Sequence, residues 1–304
     1  KKCTVLITKC LKTILQVATG VKMGIENLLE PFKYDFMIRS LITAVLSGIM
    51  LPILGSFTIN RNMGFMADAM AHATLPVIAI GVFWGFSISV LGIPAAILIA
   101  LILGLIIRNS AVGEDTAIGI IFSSFFALGF ILIKILNVSL NLEDLLFGQI
   151  LAVSTFDVIM ISILFFTVFV ILVVFFKQLL FYSFDPVGAQ VRGLNVSFLN
   201  YLFLIILSLV IIGSIQTVGI ILVLSMLIIP AAAAKLATKT FINSIKLSIF
   251  FGVISSVSGL YLSYYFNLPS GPSMSLVATG FFIIVFTINS LTTPILRILN
   301  LLRT

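Results

Sequence analysis

The stretch "VIMISILFFTVFVILVVFF", residues 158–176, decides the fold class of this chain. It carries no charged residue and lies between Asp157 and Lys177. As an α-helix it would be about 28 Å long, close to the ~30 Å hydrocarbon thickness of a bilayer. The stretch therefore predicts a helix that crosses a membrane.

Comparable apolar runs recur along the rest of the chain. Of its 304 residues, 61% are hydrophobic and 9% are charged, whereas about a quarter are charged in a soluble domain. The runs lack the period-two alternation of a transmembrane β-barrel. The sequence predicts an all-α polytopic transmembrane helical bundle of about 8–9 spans, with eight if one is broken or re-entrant. The predicted spans are 36–59, 63–83, 87–107, 116–136, 157–180, 197–213, 217–235, 243–266 and 273–293.

Basic residues indicate the orientation of the bundle, because cytoplasmic loops are enriched in lysine and arginine. If residues 181–196 are cytoplasmic, most loop cations after Met23 fall on that side, with the N-terminus outside and the C-terminus inside. These loop residues account for the net charge of +7, and no basic cluster interleaved with aromatics indicates nucleic acid. The cytoplasmic set is Arg61, Arg108, Arg192, Lys235, Lys239, Arg297 and Arg303, against Lys33, Arg39 and Lys134 on the other side.

The N-terminal segment 1–22 differs from the rest of the chain. Five lysines interrupt its apolar runs, so it contains no signal-peptide core. Met23 is a candidate natural start, and the preceding residues would then be extraneous. We expect an atypical leader over 1–22, a short interfacial helix near 25–32, and a single transmembrane domain over 23–304.

A polar pair, Asp68 and His72, interrupts the second predicted span within "MGFMADAMAHATLP", residues 63–76. Four residues apart, the two side chains would share one helix face. An aspartate within a span costs about 2.5–3.5 kcal/mol on insertion scales, so it normally faces a cavity or a partner. Pro76 cannot donate to the His72 carbonyl, which predicts a kink and a freed carbonyl. Carboxylate and imidazole suit a first-row divalent cation, and polar contact with neighbouring helices is the alternative.

A second polar feature is "FDPVGAQVRGLN", residues 184–195, between two long apolar spans. Asp185 is a favourable N-cap, Pro186 suits the first helical position, and Gly193 suits a left-handed helix end. We predict a helix of about two turns on the cytoplasmic side. The residues alone slightly favour an ordinary capped loop helix.

Small residues form two candidate helix-packing faces. One contains Gly119, Ser123, Ser124 and Ala127, and the other is "PAAAAKLA", residues 230–237. In lipid, such faces let helix backbones approach closely. For each of them, packing inside the bundle is favoured over contact with a second copy.

The chain lacks the sequence motifs of common nucleotide-binding and hydrolytic proteins. It contains no G-x-x-x-x-G-K-[ST] loop, no H-E-x-x-H and no G-x-S-x-G. Glu114, Asp115 and Asp157 fall at predicted span ends, where solvated or helix-capping carboxylates are usual. With little from which to build an active site, we predict that the chain is not an enzyme.

Several segments in a fixed order give the chain a family likeness. They are "LLEPFKYDFMIRSL" (28–41), "GSFTINRNMGFMADAMAHATLP" (55–76), "EDTAIGIIFSSFFALGFIL" (114–132), "LLFGQILAVS" (145–154), "FDPVGAQVRGL" (184–194), "TVGIILVLSMLIIPAAAAKL" (217–236) and "LPSGPSMSLV" (268–277). Together these segments resemble the ABC-3 permease subunits of ABC importers for manganese, zinc or iron. The likeness runs from about Asn27 to Ser290, and the leader has no counterpart in it.

The resemblance implies a type II ABC importer-like permease in a bacterial plasma membrane. The family's D-x-x-x-H on the second span matches Asp68 and His72, which would contact the metal in the translocation path. Its cytoplasmic coupling helix would dock on an ABC ATPase. The family usually ends this helix with "ARALGL", whereas "AQVRGL" here moves the arginine to Arg192. The coupling residues carried over are Asp185, Pro186, Gly188, Ala189, Arg192, Gly193 and Leu194.

The resemblance also implies the partners and the cargo. The expected partners are an ABC ATPase, an extracytoplasmic metal-binding protein, a second copy of the chain and the lipid membrane, without nucleic acid. No cofactor is expected to be bound permanently, and the transported ion is manganese, zinc or iron, since aspartate and histidine accept all three. The alternative from another class is a secondary metal transporter, driven by an ion gradient without an ATPase.

Overall fold

The computed structural model describes residues 33–85, 88–109, 113–137, 148 and 150–301, without the side chains of 88–90, 216 and 292–301. The chain divides into two compact units, residues 1–38 and 39–304. The described part of the first unit begins a helix and brings the ring of Tyr34 to 5.6 Å from that of Phe36. The leader over 1–22 and the helix predicted near 25–32 lie outside the described residues.

Helices make up all the regular structure in these described ranges, which contain no strand. A short 3₁₀ helix, Ile150–Ala152, precedes the sixth α-helix. The α-helices are α1 (Asp35–Asn60), α2 (Met66–Ala73), α3 (Leu75–Trp84), α4 (Ile88–Asn109), α5 (Glu114–Leu136), α6 (Thr155–Phe184), α7 (Pro186–Val191), α8 (Val196–Val218), α9 (Ile220–Ala237), α10 (Phe241–Phe266) and α11 (Ser270–Leu301).

The nine predicted spans are confirmed within the part of the chain that the structure describes. The second span consists of two helices, α2 and α3, and α7 lies between spans. The fifth span, α6, has 30 residues and is longer than the predicted 157–180. A capping box starts α6 at Thr155, two residues before the predicted position. In it, Ser154 and Asp157 each accept a hydrogen bond from the other's backbone N–H. Asp157 is therefore a capping carboxylate, as predicted.

The second span lies inside the bundle. Of its most apolar window, 67% is buried within the chain, against 17% for α6. Helix α2 contacts α4, α5, α8 and α9, while α9, α10 and α11 pack on one another. Helix α1 crosses α10 where Gly48 meets Gly252, and the hydroxyls of Ser56 and Ser248 are 3.2 Å apart. The packing therefore surrounds α2 with other helices.

The two small-residue faces have different environments. Pro230, Ala231, Ala233 and Ala234 of α9 are buried, so the prediction of internal packing is confirmed there. On α5, Gly119, Ser123, Ser124 and Ala127 are all exposed, and no described atom lies within 4 Å of a Cβ built on Gly119. The prediction of internal packing is therefore wrong for α5. Its neighbours α2 and α3 pack against the other side of the helix.

A buried arginine joins four helices at one end of the bundle. The Arg61 side chain, 5% exposed, follows α1 and forms an ion pair with Glu114 at the start of α5. It also donates to the Tyr182 hydroxyl of α6 at 3.1 Å and to the side-chain Oδ1 atom of Asn200 in α8 at 2.9 Å. The prediction that Glu114 is a solvated or capping carboxylate is wrong, because hairpin pairing of spans brings it beside Arg61.

Candidate functional site

The second span is broken at the position that Pro76 predicts. Helix α2 ends at Ala73, and α3 begins at Leu75 with the proline in its first turn. Thr74 lies between them, and its hydroxyl donates to the Ala71 carbonyl at 2.6 Å. The interruption that Pro76 predicts is present, because proline removes a backbone donor and its ring clashes with the preceding turn. Thr74 itself keeps right-handed helical angles, with φ of −79° and ψ of −17°.

Asp68 and His72 lie together on one side of α2. The His72 Nε2 atom is 3.4 Å from the Asp68 Oδ1 atom. The His72 side chain is 24% exposed and the Asp68 side chain is 32% exposed, whereas the other α2 residues are buried. The pair is thus the accessible part of an otherwise packed helix. Its two donor atoms are close enough to share one small cation.

The imidazole of His72 is held by two phenylalanines of α5. Its ring centroid lies 5.2 Å from that of Phe122 and 4.9 Å from that of Phe126, with nearly perpendicular planes. Edge-to-face packing of this kind fixes ring orientation. Sequence reasoning missed both residues, although the spacing of Phe122, Phe126 and Phe130 by four marks an aromatic helix face.

The predicted third ligand, the freed carbonyl of His72, is not free. The backbone N–H of Thr74 donates to it, because the chain tightens at the helix break. Among the described residues, no group of three or more histidine, cysteine, aspartate and glutamate side chains could hold a metal ion. One chain thus supplies a carboxylate and an imidazole, and further ligands must come from water or from another molecule.

The predicted cytoplasmic helix is present as α7. The Asp185 carboxylate accepts a 2.8 Å hydrogen bond from the Gly188 N–H, and Pro186 opens the helix. Gly193 takes a left-handed φ of 79°, and the Leu194 N–H donates to the Ala189 carbonyl. A side chain at Gly188 would overlap the Asp185 carboxylate, so the cap itself requires glycine there.

The exposed surface of α7 is largely apolar, and Gln190 is its exposed polar residue. Val187 is 73% exposed and Val191 is 83% exposed, one turn apart. Of the family-derived coupling residues, Ala189 is fully buried, and the Arg192 guanidinium lies 4.6 Å from the centre of the Phe181 ring. Sequence reasoning missed the two valines, because residue type alone does not tell which side of a two-turn helix faces outward.

A model of the ABC 3 transport family matches residues 33–289, a range that contains both the Asp68–His72 pair and α7. The chain belongs to the ABC 3 transport family. The membership agrees with the resemblance in the sequence. Together with the nine membrane-crossing helices among the described residues, it makes the chain a multi-pass protein of the bacterial plasma membrane and a transport permease.

Relatives within the family differ in the metal that they are named for. The manganese transport system membrane protein MntC of Listeria innocua is 45% identical over 262 residues, covering 86% of this chain and 92% of that one. The chelated iron transport system membrane protein YfeD of Yersinia pestis is 33% identical, covering 86% and 88%. PsaBC from Streptococcus pneumoniae, solved in complex with Fab, matches with a TM-score of 0.75 at 40% identity, covering 86% and 95%.

Proposed function

We propose that this chain is the membrane-spanning permease subunit of an ATP-driven importer, which passes a divalent metal ion from an extracytoplasmic binding protein to the cytoplasm. The observation that carries the proposal is the partly exposed Asp68–His72 pair at the break of a central span. The family and the names of relatives for manganese and iron transport support the same class of cargo.

The donor set suits a bare first-row cation. Manganese, iron and zinc as divalent ions all accept carboxylate oxygen and imidazole nitrogen, whereas calcium and magnesium prefer oxygen alone. The Asp68 carboxylate would supply negative charge that hydrocarbon lacks. The ion is cargo, and we propose no permanently bound cofactor.

A second copy of the chain would complete the ligand shell. A first-row cation takes about four to six ligands, and one chain offers two side chains. An isologous two-fold contact would bring a second Asp68 and a second His72 to one path. The exposed small-residue stripe of α5, formed by Gly119, Ser123 and Ala127, is the contact surface that we propose. It adjoins Phe122 and Phe126, so a copy docked there lies beside His72.

Cysteine cross-linking tests this contact. Gly119, Ser123 and Ala127 are each replaced by cysteine, singly, in a chain whose Cys3 and Cys10 are serine. Because small stripes bring helix backbones together in lipid, at least one variant is expected to form a disulfide dimer when membranes are oxidised. The product is measured as a band of twice the chain mass on a non-reducing gel.

A matched control comes from another exposed helix. Thr167 is exposed on α6, and Thr167→Cys is expected to stay monomeric under the same oxidation. If Thr167→Cys cross-links as readily, or if none of the three α5 variants does so while transport persists, the proposed contact is wrong.

Helix α7 is the surface that we propose for the ATPase. Exposed valines at 187 and 191 leave apolar area in water, which a partner groove would cover. The Asp185 cap and the Gly193 turn give the short helix fixed ends. A gradient-driven transporter would need no such docking helix, so this surface favours the ATP-driven mechanism over the alternative.

Reconstitution separates the two mechanisms. Proteoliposomes containing this chain alone, or with its ATPase and binding protein, receive radioactive manganese with or without ATP inside. We expect uptake only from the complete complex with ATP. The control is the same complex with an ATPase variant that cannot hydrolyse ATP. Uptake by the chain alone under a proton gradient would instead establish the secondary transporter.

A further inference from the structure

A separate cavity of about 270 Å³ lies where the C-terminal end of α9 meets the N-terminal end of α10. Its polar lining includes Asn60, Lys235, Lys239, Thr240 and Ser244, and no carboxylate lines it. Asp68 and His72 do not line it, so the cavity is not the proposed metal site. A cavity that two lysines line, without a carboxylate among the described residues, favours an anion.

Two lysines give the cavity its charge. Lys235 lies in the last turn of α9, and Lys239 follows it in the turn before α10. Within the described part of the chain, neither ammonium has a carboxylate within 4 Å, because the ion pairs found there are Arg61–Glu114 and Asp68–His72. Both positive charges are thus available to a ligand.

The start of α10 adds backbone donors on the same side. Thr240 occupies the N-cap, but its side chain accepts no hydrogen bond from the helix, and the first turn contains no acidic residue. The first N–H groups of a helix have no intrahelical acceptor and carry partial positive charge. Those of Phe241 and Ile242 can therefore donate to an anion at this helix end.

Ser244 gives an independent indication of a ligand. Its residue surface is only 6% exposed, yet it lines the cavity, and its hydroxyl has no hydrogen-bond partner among the residues described. The oxygen is not among the fully buried unpaired atoms of the described residues, so it can be reached from the cavity. An acceptor atom inside the cavity would satisfy this donor, as a phosphate oxygen does.

We propose that this cavity binds the phosphate group of an anionic ligand. Lys235 and Lys239 supply charge, while Ser244 and the first amides of α10 supply directed hydrogen bonds. The group can come from the phosphodiester of an anionic lipid headgroup or from free phosphate. The cavity lies at the ends of two spans, and Phe184 and Phe241 give it apolar walls, as in basic lipid-headgroup pockets between transmembrane helices.

Binding to the purified full chain in detergent tests the proposal. Phosphatidylglycerol, phosphatidylcholine and inorganic phosphate are titrated separately, with retained lipid counted by native mass spectrometry and melting temperature followed in parallel. The Lys235→Gln/Lys239→Gln pair is expected to weaken phosphatidylglycerol binding by roughly tenfold to thirtyfold. Ser244→Ala is expected to weaken it by roughly tenfold, because one hydrogen bond to a charged group is lost.

Matched variants test whether the loss of binding comes from the charges that line the cavity. Lys246 is exposed on α10 and does not line the cavity, so Lys246→Gln is expected to bind like the wild type. The Lys235→Arg/Lys239→Arg pair keeps both charges and is also expected to bind, which separates lost charge from lost folding.

The choice of ligand distinguishes an anionic lipid headgroup from free phosphate as the source of the bound group. Phosphatidylglycerol binding that millimolar phosphate does not displace identifies a lipid headgroup, whereas saturable stabilisation by phosphate alone identifies free phosphate. Equal binding of every ligand by the wild type and the glutamine pair would overturn the proposal. Equal losses in Lys246→Gln, or in the arginine pair, would overturn it as well.

Discussion

Asp68→Asn is expected to lower metal uptake by at least about 100-fold, since even residues that only orient a metal ligand contribute up to that factor. The amide keeps the size of the side chain but removes the charge that balances a divalent ion inside the bundle. His72→Ala should have a comparable effect, because it removes the imidazole donor. Uptake of radioactive manganese is measured in cells that lack other manganese importers, at matched amounts of protein in the membrane.

Two controls separate metal binding from folding. Asp115→Asn makes the same chemical change at an exposed position in the first turn of α5 and should leave uptake unchanged. His72→Phe keeps an aromatic ring against Phe122 and Phe126 but has no donor nitrogen. If His72→Phe or Asp68→Asn transports normally, the pair is a structural contact and the metal assignment is wrong.

A Val187→Glu/Val191→Glu variant is expected to lose at least about 100-fold in affinity for the ATPase, and with it ATP-driven uptake. Burying two valines contributes about 3 kcal/mol or more, and a carboxylate placed in an apolar groove adds a desolvation cost. Both side chains point outward, so α7 itself should remain folded. Co-purification of the ATPase with the tagged permease measures the loss.

Two further variants show whether such a loss comes from the valine surface, from added charge or from an unfolded α7. Ser197→Glu adds a charge to an exposed position at the start of α8, near α7 in sequence, and should retain the ATPase. Gln190→Pro disrupts α7 itself, at a cost of about 3 kcal/mol, and should lose the ATPase through lost helix structure. If the valine variant binds the ATPase and transports normally, α7 is an ordinary loop helix.

Local features of the fold could be predicted from the sequence. The spans follow from apolar runs of membrane-crossing length, and the break at Pro76 follows from one missing backbone donor. The ends of α7 follow from Asp185, Pro186 and Gly193, whose preferences act within a few residues. Each of these rests on interactions between residues that are near neighbours along the chain.

Features that depend on distant residues could not be predicted. Arg61 and Glu114 are each unremarkable at a span end, and only the packed bundle makes them a partly buried ion pair. The contact of His72 with Phe122 and Phe126 likewise depends on how α5 lies against α2. The exposed stripe of α5 could not be distinguished from the buried one of α9, because both consist of small residues.

The length of α6 has a mechanical consequence. Its 30 residues span about 45 Å, well beyond a ~30 Å hydrocarbon core, and both α1 and α8 lie against it. Asp185 joins α6 directly to α7, so a displacement of Val187 and Val191 acts on one end of α6. The opposite end of α6 carries Thr155, whose hydroxyl accepts a hydrogen bond from the Arg39 guanidinium. One continuous helix therefore connects the surface proposed for the ATPase with this contact, about 45 Å away.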